Sequence, residues 1–491
     1  MSSVVSMLVG QCGNTVGASA YSILHEERPF LCDRSLFDES GRARAVMVDG
    51  EAKVVGALVK HGDGPFNRAN AFFEDSGRGN NWALGYYGPR GGNSIVDRSM
   101  EAFRRELEAS DAYRGGVVFH SLCGGTGSGL GSRIMEEMRD ELAMSPLIST
   151  TVLPFSVGEL PLQHYNATLC LSRLIKETDA CFLFSNSDIL SLCSKRNANK
   201  MGSAVRPADA AAAMVKTAHI NRYIGLALAS VMRPCMYSRK RAAAWDMSAS
   251  IAALAPTKET KFVEIWSVQE SCKLHPSTSS NRRLSHYSSP PWATLGERLG
   301  AEVGRFITTD ENNTQTSYST NITSPENTSK TRKIVTGAYQ VFARGPSVQG
   351  GEGREEAEGA AGARKGVNKC LDLAPCVQDL HGAHGSSVSC SNLEHFSNSR
   401  TACAWICCPQ PLTRQHPRSL TLVASRSGHL AQVARMHERC GRMFAARAYL
   451  HWFKKFGFED DEMQEALEDV RHYLDDAQDF FNSHVSSKAR A

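Results

Sequence analysis

Residues 120–131 read HSLCGGTGSGLG, and this glycine run decides the fold. The apolar residues Val117–Phe119 precede it, as in a short buried strand, and Ser132–Leu142 follow it with apolar side chains at helical spacing. A strand, a glycine loop and a helix N-terminus bring unpaired N–H groups and the positive end of a helix dipole to one point, which is a geometry that holds phosphate. Because a flexible linker has no such flanks, the sequence predicts a phosphate-binding loop.

The glycine run differs from the two commonest phosphate loops. Leu130 follows Gly129 at the point where a Walker loop carries lysine. The dinucleotide fingerprint G-x-G-x-x-G, with an acidic residue further on, is not matched cleanly either. The type of phosphate loop therefore has to be identified from other motifs of the chain.

The composition sets limits on the class of protein. A chain of 491 residues is long for a single core, so we expect two or three domains. The net charge of +4 does not call for a nucleic-acid partner, and no apolar run approaches the ~20 residues that span a bilayer. Cysteines lie mostly singly in apolar segments, and residues 1–9 lack the features of a signal peptide, so we expect a cytoplasmic protein with reduced thiols. The cluster of Cys403, Cys407 and Cys408 has no second Cys/His pair, and we expect no zinc site there.

Residues 1–235 alternate short apolar runs with amphipathic stretches, which predicts a doubly wound α/β domain with a parallel sheet. The predicted strands are Val4–Val9, Ala45–Val48, Val117–Leu122, Ile148–Leu153 and Ala180–Phe184. The predicted helices between them are Arg98–Ala109, Ser132–Leu142 and Tyr165–Thr178.

The rest of the chain divides into an α/β region at 236–425 and a helical region at 426–491. Polar stretches at 276–289, 308–330 and 345–400 lack hydrophobic periodicity, and we expect insertions or disordered loops there. Between them lie segments that are typical of folded structure, namely Lys261–Val268, Trp292–Val303, Lys333–Ala343 and Ser419–Ala424. The last region predicts a basic helix and then an acidic one, whose apolar stripe is Met463, Ala466, Leu467, Val470 and Leu474.

Several motifs resemble those of the tubulin family. Four of them occur in order along the chain, namely Gly10–Asn14, Gly79–Ala83, Gly124–Gly129 and Tyr165–Leu169. Three longer stretches are similar to the delta-tubulin subfamily of centrioles and basal bodies: Gly79–Arg90, Ser419–Gly428 and Met443–Phe458. The resemblance extends to about residue 475 and is patchy from 270 to 420.

This resemblance implies a fold and a ligand. The fold would be a GTPase-type nucleotide domain at 1–235, an intermediate α/β domain at 236–425 and a C-terminal helical hairpin. The ligand would be GTP or GDP with Mg²⁺. By the same resemblance, the residues against the phosphates would be Gly10, Gln11, Cys12, Gly124, Gly125, Thr126, Gly127 and Ser128, with Asn80 at the terminal phosphate. Asp49 and Glu51 would lie near Mg²⁺. Asn186 would contact the guanine, and Gln163 would contact the ribose.

The chain also departs from the tubulin pattern. Gln163 stands where alpha- and beta-tubulins place an acidic residue against the ribose, and the segment Arg206–Ala211 replaces a base-stacking aromatic and a base-reading Asn. We therefore expect weaker selection of the base than of the phosphates. Ala249 stands where a neighbouring subunit's acidic residue completes hydrolysis, so we expect weak or absent GTPase activity. Ser486–Ala491 form a short basic end in place of an acidic tail.

The leading hypothesis is a delta-tubulin-like, GTP-binding cytoskeletal protein that acts in centrioles, basal bodies and cilium assembly. Its partners would be other tubulins (alpha, beta and epsilon) and centriolar proteins, with no nucleic-acid or membrane partner. One alternative is a nucleotide-binding enzyme or filament GTPase that shares only the phosphate loops. Another is a divergent scaffold that does not enter microtubules, in which the middle of the chain is degenerate.

Overall fold

The computed structural model describes residues 2–26, 35–60, 64–89, 92, 94–142, 144–155, 160–201, 215–233, 235–238, 241–243, 246–270, 292–308, 334, 336–345, 403–408, 412–413, 415–416 and 418–486. Apart from Thr308 and Gly345, the three predicted insertions lie outside the described residues, as do Arg206–Ala211 and 487–491.

The core is one mixed sheet of ten strands. Its strands are β1 (Ser2–Val9), β2 (Ala45–Asp49), β3 (Ala71–Phe73), β4 (Ala112–Ser121), β5 (Leu147–Leu153), β6 (Ala180–Ser185), β9 (Phe262–Gln269), β10 (Thr336–Arg344), β11 (Cys403–Cys408) and β12 (Ser419–Arg426), while β7 (Cys235–Ser238) and β8 (Arg241–Ala243) form a separate hairpin. Across the sheet the order is β3-β2-β1-β4-β5-β6-β9-β12-β10-β11. Neighbours are parallel from β3 to β9, and β12 is antiparallel to both β9 and β10.

The helices alternate with the strands. They are α1 (Gly10–Glu26), α2 (Ala52–Val59), α3 (Trp82–Tyr87), α4 (Ser94–Glu108), α5 (Gly131–Leu142), α6 (Gln163–Glu177), α7 (Asn186–Met201), α8 (Thr217–Met232), α9 (Met247–Leu254), α10 (Trp292–Thr308), α11 (Gly428–Ala445), α12 (Leu450–Lys454) and α13 (Asp460–Ser486). Short 3₁₀ turns at Arg68–Asn70 and Lys258–Thr260, and a π-helical segment at Gly125–Leu130, complete the regular structure. Within the described residues, no helix combines the length and the apolar character that a bilayer crossing needs.

The parallel sheet that the sequence predicts is confirmed, and its two faces are both covered. Along β1, Val4 and Leu8 pack into one core with α1 and α8, whereas Val5 and Met7 pack into the other with α4, α5 and α6. This alternation produces a buried strand on both sides, as a doubly wound fold requires. The strand predicted at Val117–Leu122 begins earlier, at Ala112, because Ser2 and Ser3 of β1 pair with residues 112 and 113 despite their polarity.

The C-terminal helices lie on the same face as α6. The buried residues of the predicted stripe on α13 are Met463, Ala466 and Val470, and Leu467 and Leu474 pack partly buried against the same core. The helices α11 and α13 contact each other and α6.

The sheet runs without a break from the first region of the chain into the second. The junction is β9, whose first residues pair with β6, from Cys181 opposite Phe262 to Leu183 opposite Glu264. From Val263 to Gln269, β9 pairs with β12. The domain boundary at residue 235 therefore stays a prediction, since one sheet serves both sides of it.

Candidate functional site

The site lies where the strand order of the sheet reverses direction. The first six strands are arranged as β3-β2-β1-β4-β5-β6, so the chain moves outward to one side after β1 and to the other side after β4. In an open parallel sheet, the loops after two such strands separate and leave a crevice at their carboxyl ends. Gly10 follows β1 directly, and the glycine run follows β4.

Gly10 and the glycine run lie in close contact across this crevice. Gly10 has φ = 73°, and a Cβ built on it would be 2.9 Å from the backbone nitrogen of Gly127 and 3.4 Å from the Cβ of Thr126. A side chain at position 10 would therefore press on the loop that is predicted to hold phosphate. The glycine at this position keeps the crevice floor free for backbone contacts.

Glycine is required at different positions of the run for different structural reasons. A Cβ on Gly125 would lie 2.2 Å from the carbonyl oxygen of Arg78, and one on Gly129 would lie 2.1 Å from that of Trp82. These positions are glycine because the loop before α3 packs directly on Gly125 and the first residue of α3 packs directly on Gly129. Gly124 is different, since it has φ = 82° and the nearest atom to its Cβ position is Oδ1 of Asn80 at 3.5 Å. It borders open space, and its conformation is what requires glycine.

The run continues as a π-helical turn, Gly125–Leu130, before α5 begins at Gly131. The predicted helix start at Ser132 is therefore one residue late, and the glycine loop is itself helical from Gly125. Gly124 at the N-cap has no side chain to accept the first N–H groups of this turn. Such N–H groups, with a helix dipole behind them, are suited to an anion. The Ser128 hydroxyl donates to the Gly124 carbonyl and stabilises the turn.

The acidic loop after β2 borders the glycine run. A Cβ on Gly50 would lie 3.2 Å from Oγ1 of Thr126, so the two loops are adjacent. Asp49 is 6% exposed. Burial raises the pKa of its carboxyl to about 6, although the N–H groups of Gly50 and Glu51 donate to it and oppose the shift. The Glu51 side chain is nearby and exposed, with Oε1 2.5 Å from the Cβ position of Gly77.

These two carboxylates form a small acidic site. Among the residues that the structure describes, no group of three or more His, Cys, Asp or Glu side chains could hold a metal ion. Mg²⁺ differs from other metals here, because it is commonly bound through one or two carboxylates together with phosphate oxygens and water. A buried carboxylate with a raised pKa also gains from a nearby cation. Asp49 and Glu51 therefore fit Mg²⁺ next to a phosphate group.

Asn80 lies at the rim of the crevice, with Oδ1 3.5 Å from the Cβ position of Gly124. It is exposed and has φ = 51°, a conformation that Asn adopts more readily than most residues. Its carbonyl oxygen accepts a hydrogen bond from Nδ2 of Asn166 (2.8 Å), whose Oδ1 accepts one from the Trp82 N–H (2.9 Å). The buried Asn166 thus fixes the backbone at Asn80 and leaves the Asn80 side chain facing the glycine run.

The remaining predicted residues lie along the same sheet edge. Gln11 is exposed and Cys12 is half-buried, both on the first turn of α1, and burial raises the pKa of the Cys12 thiol to about 12, so the thiol stays protonated at neutral pH. Gln163 begins α6 and is buried, with Nε2 3.5 Å from the Phe155 carbonyl oxygen. Asn186 begins α7 after β6 and is half-buried. The structure brings the phosphate, acidic and Asn80 positions together, and places Gln163 and Asn186 further along the edge.

Two residues that support the site were not singled out from the sequence. Nδ2 of the buried Asn14 donates to the carbonyl oxygens of Gly10 (2.9 Å) and Val48 (3.0 Å), so Asn14 ties the loop after β1 to β2. Nδ2 of Asn221 on α8 donates to Oγ1 of Thr15 on α1 (3.1 Å). The spacing of Asn14 from Gly10 was a usable signal, whereas the contact of Asn221 spans 206 residues and has no local signature.

Residues 3–194 match the model of the Tubulin/FtsZ family, GTPase domain. The chain is 24% identical over 505 residues to a tubulin delta chain of Homo sapiens, covering 95% of this chain and 97% of that protein. A tubulin delta chain of Macaca fascicularis gives 24% identity over 504 residues with the same coverage. A tubulin beta-1 chain of Mus musculus is 33% identical over 213 residues, or 39% of this chain and 47% of that protein.

Proposed function

We propose that the chain is a member of the tubulin family, and that it is a guanine-nucleotide-binding cytoskeletal protein of the delta-tubulin type. The observation that carries the proposal is the meeting of Gly10, the glycine run and the acidic loop in the crevice between β1 and β4. Similarity to delta chains extends over 95% of the chain, whereas similarity to the mouse beta-1 chain covers 39% of it. This difference in coverage favours the delta type.

The phosphates of GTP or GDP would be held mainly by backbone N–H groups. Gly10, Gln11 and Cys12 at the start of α1 would donate from one side, and Gly124–Ser128 would donate from the other. Both segments are helix N-termini, so their dipoles add to the hydrogen bonds. Asn80 would reach the terminal phosphate, since its side chain already lies beside Gly124.

The acidic loop would serve the metal. Asp49 and Glu51 would hold Mg²⁺ directly or through water at the phosphate end of the crevice. The bound Mg²⁺ would neutralise phosphate charge. The charged form of the Asp49 carboxyl is costly to bury, and the metal would supply a compensating charge. Because protonation of Asp49 competes with the metal, metal binding would weaken as the pH falls toward 6.

The nucleoside would lie further along the edge, toward β5 and β6. Asn186 at the start of α7 would read the guanine, and Gln163 at the start of α6 would lie by the ribose. A neutral amide at position 163 makes a weaker bond to a ribose hydroxyl than the carboxylate of alpha- and beta-tubulins, because a charged acceptor strengthens a hydrogen bond roughly twofold. We therefore propose that phosphate contacts dominate affinity.

Hydrolysis would be weak or absent. Ala249 lies in the first turn of α9, and its methyl group can neither orient nor activate water. The nearest acidic residue, Asp246, is the N-cap of that helix, and its Oδ1 accepts the Ala249 N–H at 3.0 Å. This contact favours a second candidate function, a nucleotide-binding scaffold that does not complete a neighbour's site.

We propose that the protein works with other tubulins (alpha, beta and epsilon) and with centriolar proteins in the cytoplasm. Its place would be at centrioles, basal bodies and cilia, in the organisation of doublet and triplet microtubules. The match to tubulin delta chains over nearly their whole length supports this proposal.

The nucleotide tests the site most directly. The purified protein is denatured, and the released small molecules are separated by ion-exchange chromatography and identified by mass spectrometry. We expect a guanine nucleotide in stoichiometric amount. The absence of any guanine nucleotide, before and after incubation with GTP and Mg²⁺, would overturn the proposed site.

The cellular role needs a separate experiment. A tagged copy expressed in ciliated cells should accumulate at centrioles and basal bodies, and its depletion should shorten or remove cilia. Uniform distribution of the tagged protein with normal cilia after depletion would contradict the role while leaving nucleotide binding intact.

A further inference from the structure

The rim of the crevice is connected to a distant part of the chain by one side chain. Nδ2 of the buried Asn81 donates to the carbonyl oxygen of Trp452 at 2.9 Å, across 371 residues of sequence. The Oδ1 of the same side chain accepts the N–H groups of Ala83 (2.9 Å) and Leu84 (3.3 Å) and so caps α3. Asn81 therefore joins the crevice loop, the start of α3 and the turn that begins α12.

Backbone strain is concentrated at this junction. Among the described residues, the non-glycine residues with positive φ are Asn80 (51°), Arg447 (51°) and Tyr449 (61°). All three lie on the two segments that Asn81 connects. A left-handed conformation costs an L-residue about 1–2 kcal/mol, and such conformations persist only where the surrounding contacts hold them. The contacts of the two segments with each other and with α6 therefore help to hold these conformations.

Asn80 connects this junction to the glycine run. Its side chain lies beside Gly124, and its carbonyl oxygen is held by Asn166, which also binds the Trp82 N–H. A ligand that draws the Asn80 side chain toward a phosphate pulls on a backbone whose next residue is Asn81. The Asn81 side chain is fixed at both ends by α3 and by Trp452, so the displacement passes to the Trp452 turn.

The far end of this connection is an exposed aromatic surface. Tyr449 is 45% exposed and Trp452 is 48% exposed, which is unusual for side chains of this size. Together with Phe456, they line a cavity of 390 Å³ whose other wall includes Asn80 and Leu84. We call Tyr449, Trp452 and Phe456 the aromatic surface. The cavity that these side chains line also includes Asn80 of the crevice rim, so the shape of the cavity depends on the position of that rim.

We propose that Asn81 couples phosphate occupancy of the crevice to the conformation of the aromatic surface. The proposal rests on the proposed nucleotide site and adds a regulated surface to it. Occupancy by a terminal phosphate orders Asn80, and Asn81 transmits this order to the Trp452 turn. Coupling of this kind is reciprocal: a molecule that covers the aromatic surface changes the affinity for nucleotide by the same factor.

Tryptophan-specific NMR tests the coupling. The chain has six Trp residues. Each gives its own ¹⁹F signal after labelling with 5-fluorotryptophan, and Trp452→Phe identifies the signal of interest. We expect the Trp452 signal to differ between protein with GDP and protein with a non-hydrolysable GTP analogue, both with Mg²⁺. Equilibrium dialysis on the same samples measures nucleotide binding.

A matched pair of variants identifies the path. Asn81→Ser keeps an N-cap oxygen for α3 but is too short to reach the Trp452 carbonyl. The control is Asn70→Ser, which removes an equally buried amide. Asn70 lies in the turn before β3, away from the junction, and its Nδ2 donates to Glu106 on α4. We expect the Trp452 response to be lost in Asn81→Ser and retained in Asn70→Ser, with nucleotide bound in both.

Hydrogen exchange in the unmodified protein provides a test that needs no variant. We expect amides of residues 450–456 to exchange about fivefold or more slowly with the GTP analogue than with GDP, which corresponds to a coupling of 1 kcal/mol or more. Nucleotide binding without any change at Trp452 or in this segment would overturn the coupling alone. Failure of the protein to bind either nucleotide would overturn the proposed site and the coupling together.

Discussion

At the scale of single residues, the predicted phosphate site depends on glycines whose roles the sequence could not distinguish. The run predicts that another part of the backbone approaches the glycines closely. In the structure, Arg78 packs on Gly125 and Trp82 packs on Gly129, whereas among the described residues the only atom near the Cβ position of Gly124 is Oδ1 of Asn80 at 3.5 Å. The positions of Asp49 and Asn80 beside the run follow from the tubulin-like motifs. Their burial and backbone geometry depend on three-dimensional packing, which no local pattern encodes.

Replacing Gly10 tests the crevice floor. Gly10→Ala would place a Cβ 2.9 Å from the Gly127 nitrogen at a residue with φ = 73°. We expect GTP affinity to fall about tenfold or more, since strain of this kind costs 1–3 kcal/mol. The matched control is Gly441→Ala on α11, where a Cβ meets no atom within 4 Å. Isothermal titration calorimetry should show unchanged affinity for the control, and equal loss in both variants would contradict the crevice assignment.

The raised pKa of the Asp49 carboxyl predicts how the free energy of unfolding depends on pH. Its folded-state pKa of about 6 lies above the unfolded value of 3.8, so the stability linked to this group is greatest below pH 4 and is lost as the pH rises through 6. In the absence of nucleotide and Mg²⁺, Asp49→Asn should be more stable than the unmodified protein at pH 7.5, by up to about 3 kcal/mol.

This difference should shrink steadily as the pH is lowered toward 4, as measured by urea unfolding in EDTA at several pH values. The same variant should bind GTP with Mg²⁺ more weakly at pH 7.5, because it lacks the charge that faces the cation. A stability difference that stays constant between pH 5 and pH 7.5 would show that the Asp49 carboxyl is not the group responsible.

At the scale of elements, periodicity located five of the first six strands, but only three of the eight helices that the structure describes before residue 235. The located elements are those with the most regular apolar patterns. The sequence analysis did not predict strand β11, because the segment Cys403–Cys408 was considered only as a cysteine cluster and not as an apolar run. The π-helical start of the glycine run was also missed. Its form comes from packing against Arg78 and Trp82, which lie some 45 residues earlier in the chain.

The pairing of β9 and β12 contains a buried ion pair that was not visible in the sequence. Arg426 at the end of β12 donates to Oε2 of Glu264 on β9 at 3.1 Å, and Arg426 is 1% exposed. Arg426→Met should lower the free energy of unfolding by about 3–5 kcal/mol, because it leaves the Glu264 charge buried without its partner. Urea unfolding measures the change.

The control is Arg442→Met, which breaks the exposed i,i+4 pair with Glu438 on α11 and should cost no more than about 0.5 kcal/mol. The double variant Arg426→Met with Glu264→Leu should recover part of the loss, since it removes the isolated charge. Equal effects of the two single arginine variants would show that the Arg426 pair is not buried in solution.

At the scale of the whole molecule, the tubulin-like motifs predict the same family whose GTPase-domain model residues 3–194 match, whereas the domain limits stay predictions. The sequence indicates a change of character near residue 235, but strand pairing is non-local, and the sheet continues across that point. Arg206–Ala211 lies outside the described residues, and Asn221 contacts α1 from a helix that the sequence did not assign to the site.

Assembly should not accelerate GTP turnover by this protein. Ala249 on α9 offers no group that could activate water at a neighbour's phosphate, and Asp246 is engaged as a helix cap. Phosphate release per chain should therefore stay within about threefold between dilute and self-associated protein, whereas loss of one such catalytic group typically costs 10²–10³ in rate. Polymer-stimulated turnover that Ala249→Ser leaves unchanged and Ala249→Arg abolishes would contradict this expectation.

The continuous sheet also has a mechanical consequence. Seven residue pairs join β9 to β12, but only three join it to β6. A tensile load across these three strands would therefore concentrate at the β6–β9 seam, where fewer residue pairs share the force than between β9 and β12. Under such a load, this seam is where we expect the molecule to yield first, and its opening would also split the hydrophobic core that packs against both β6 and β9.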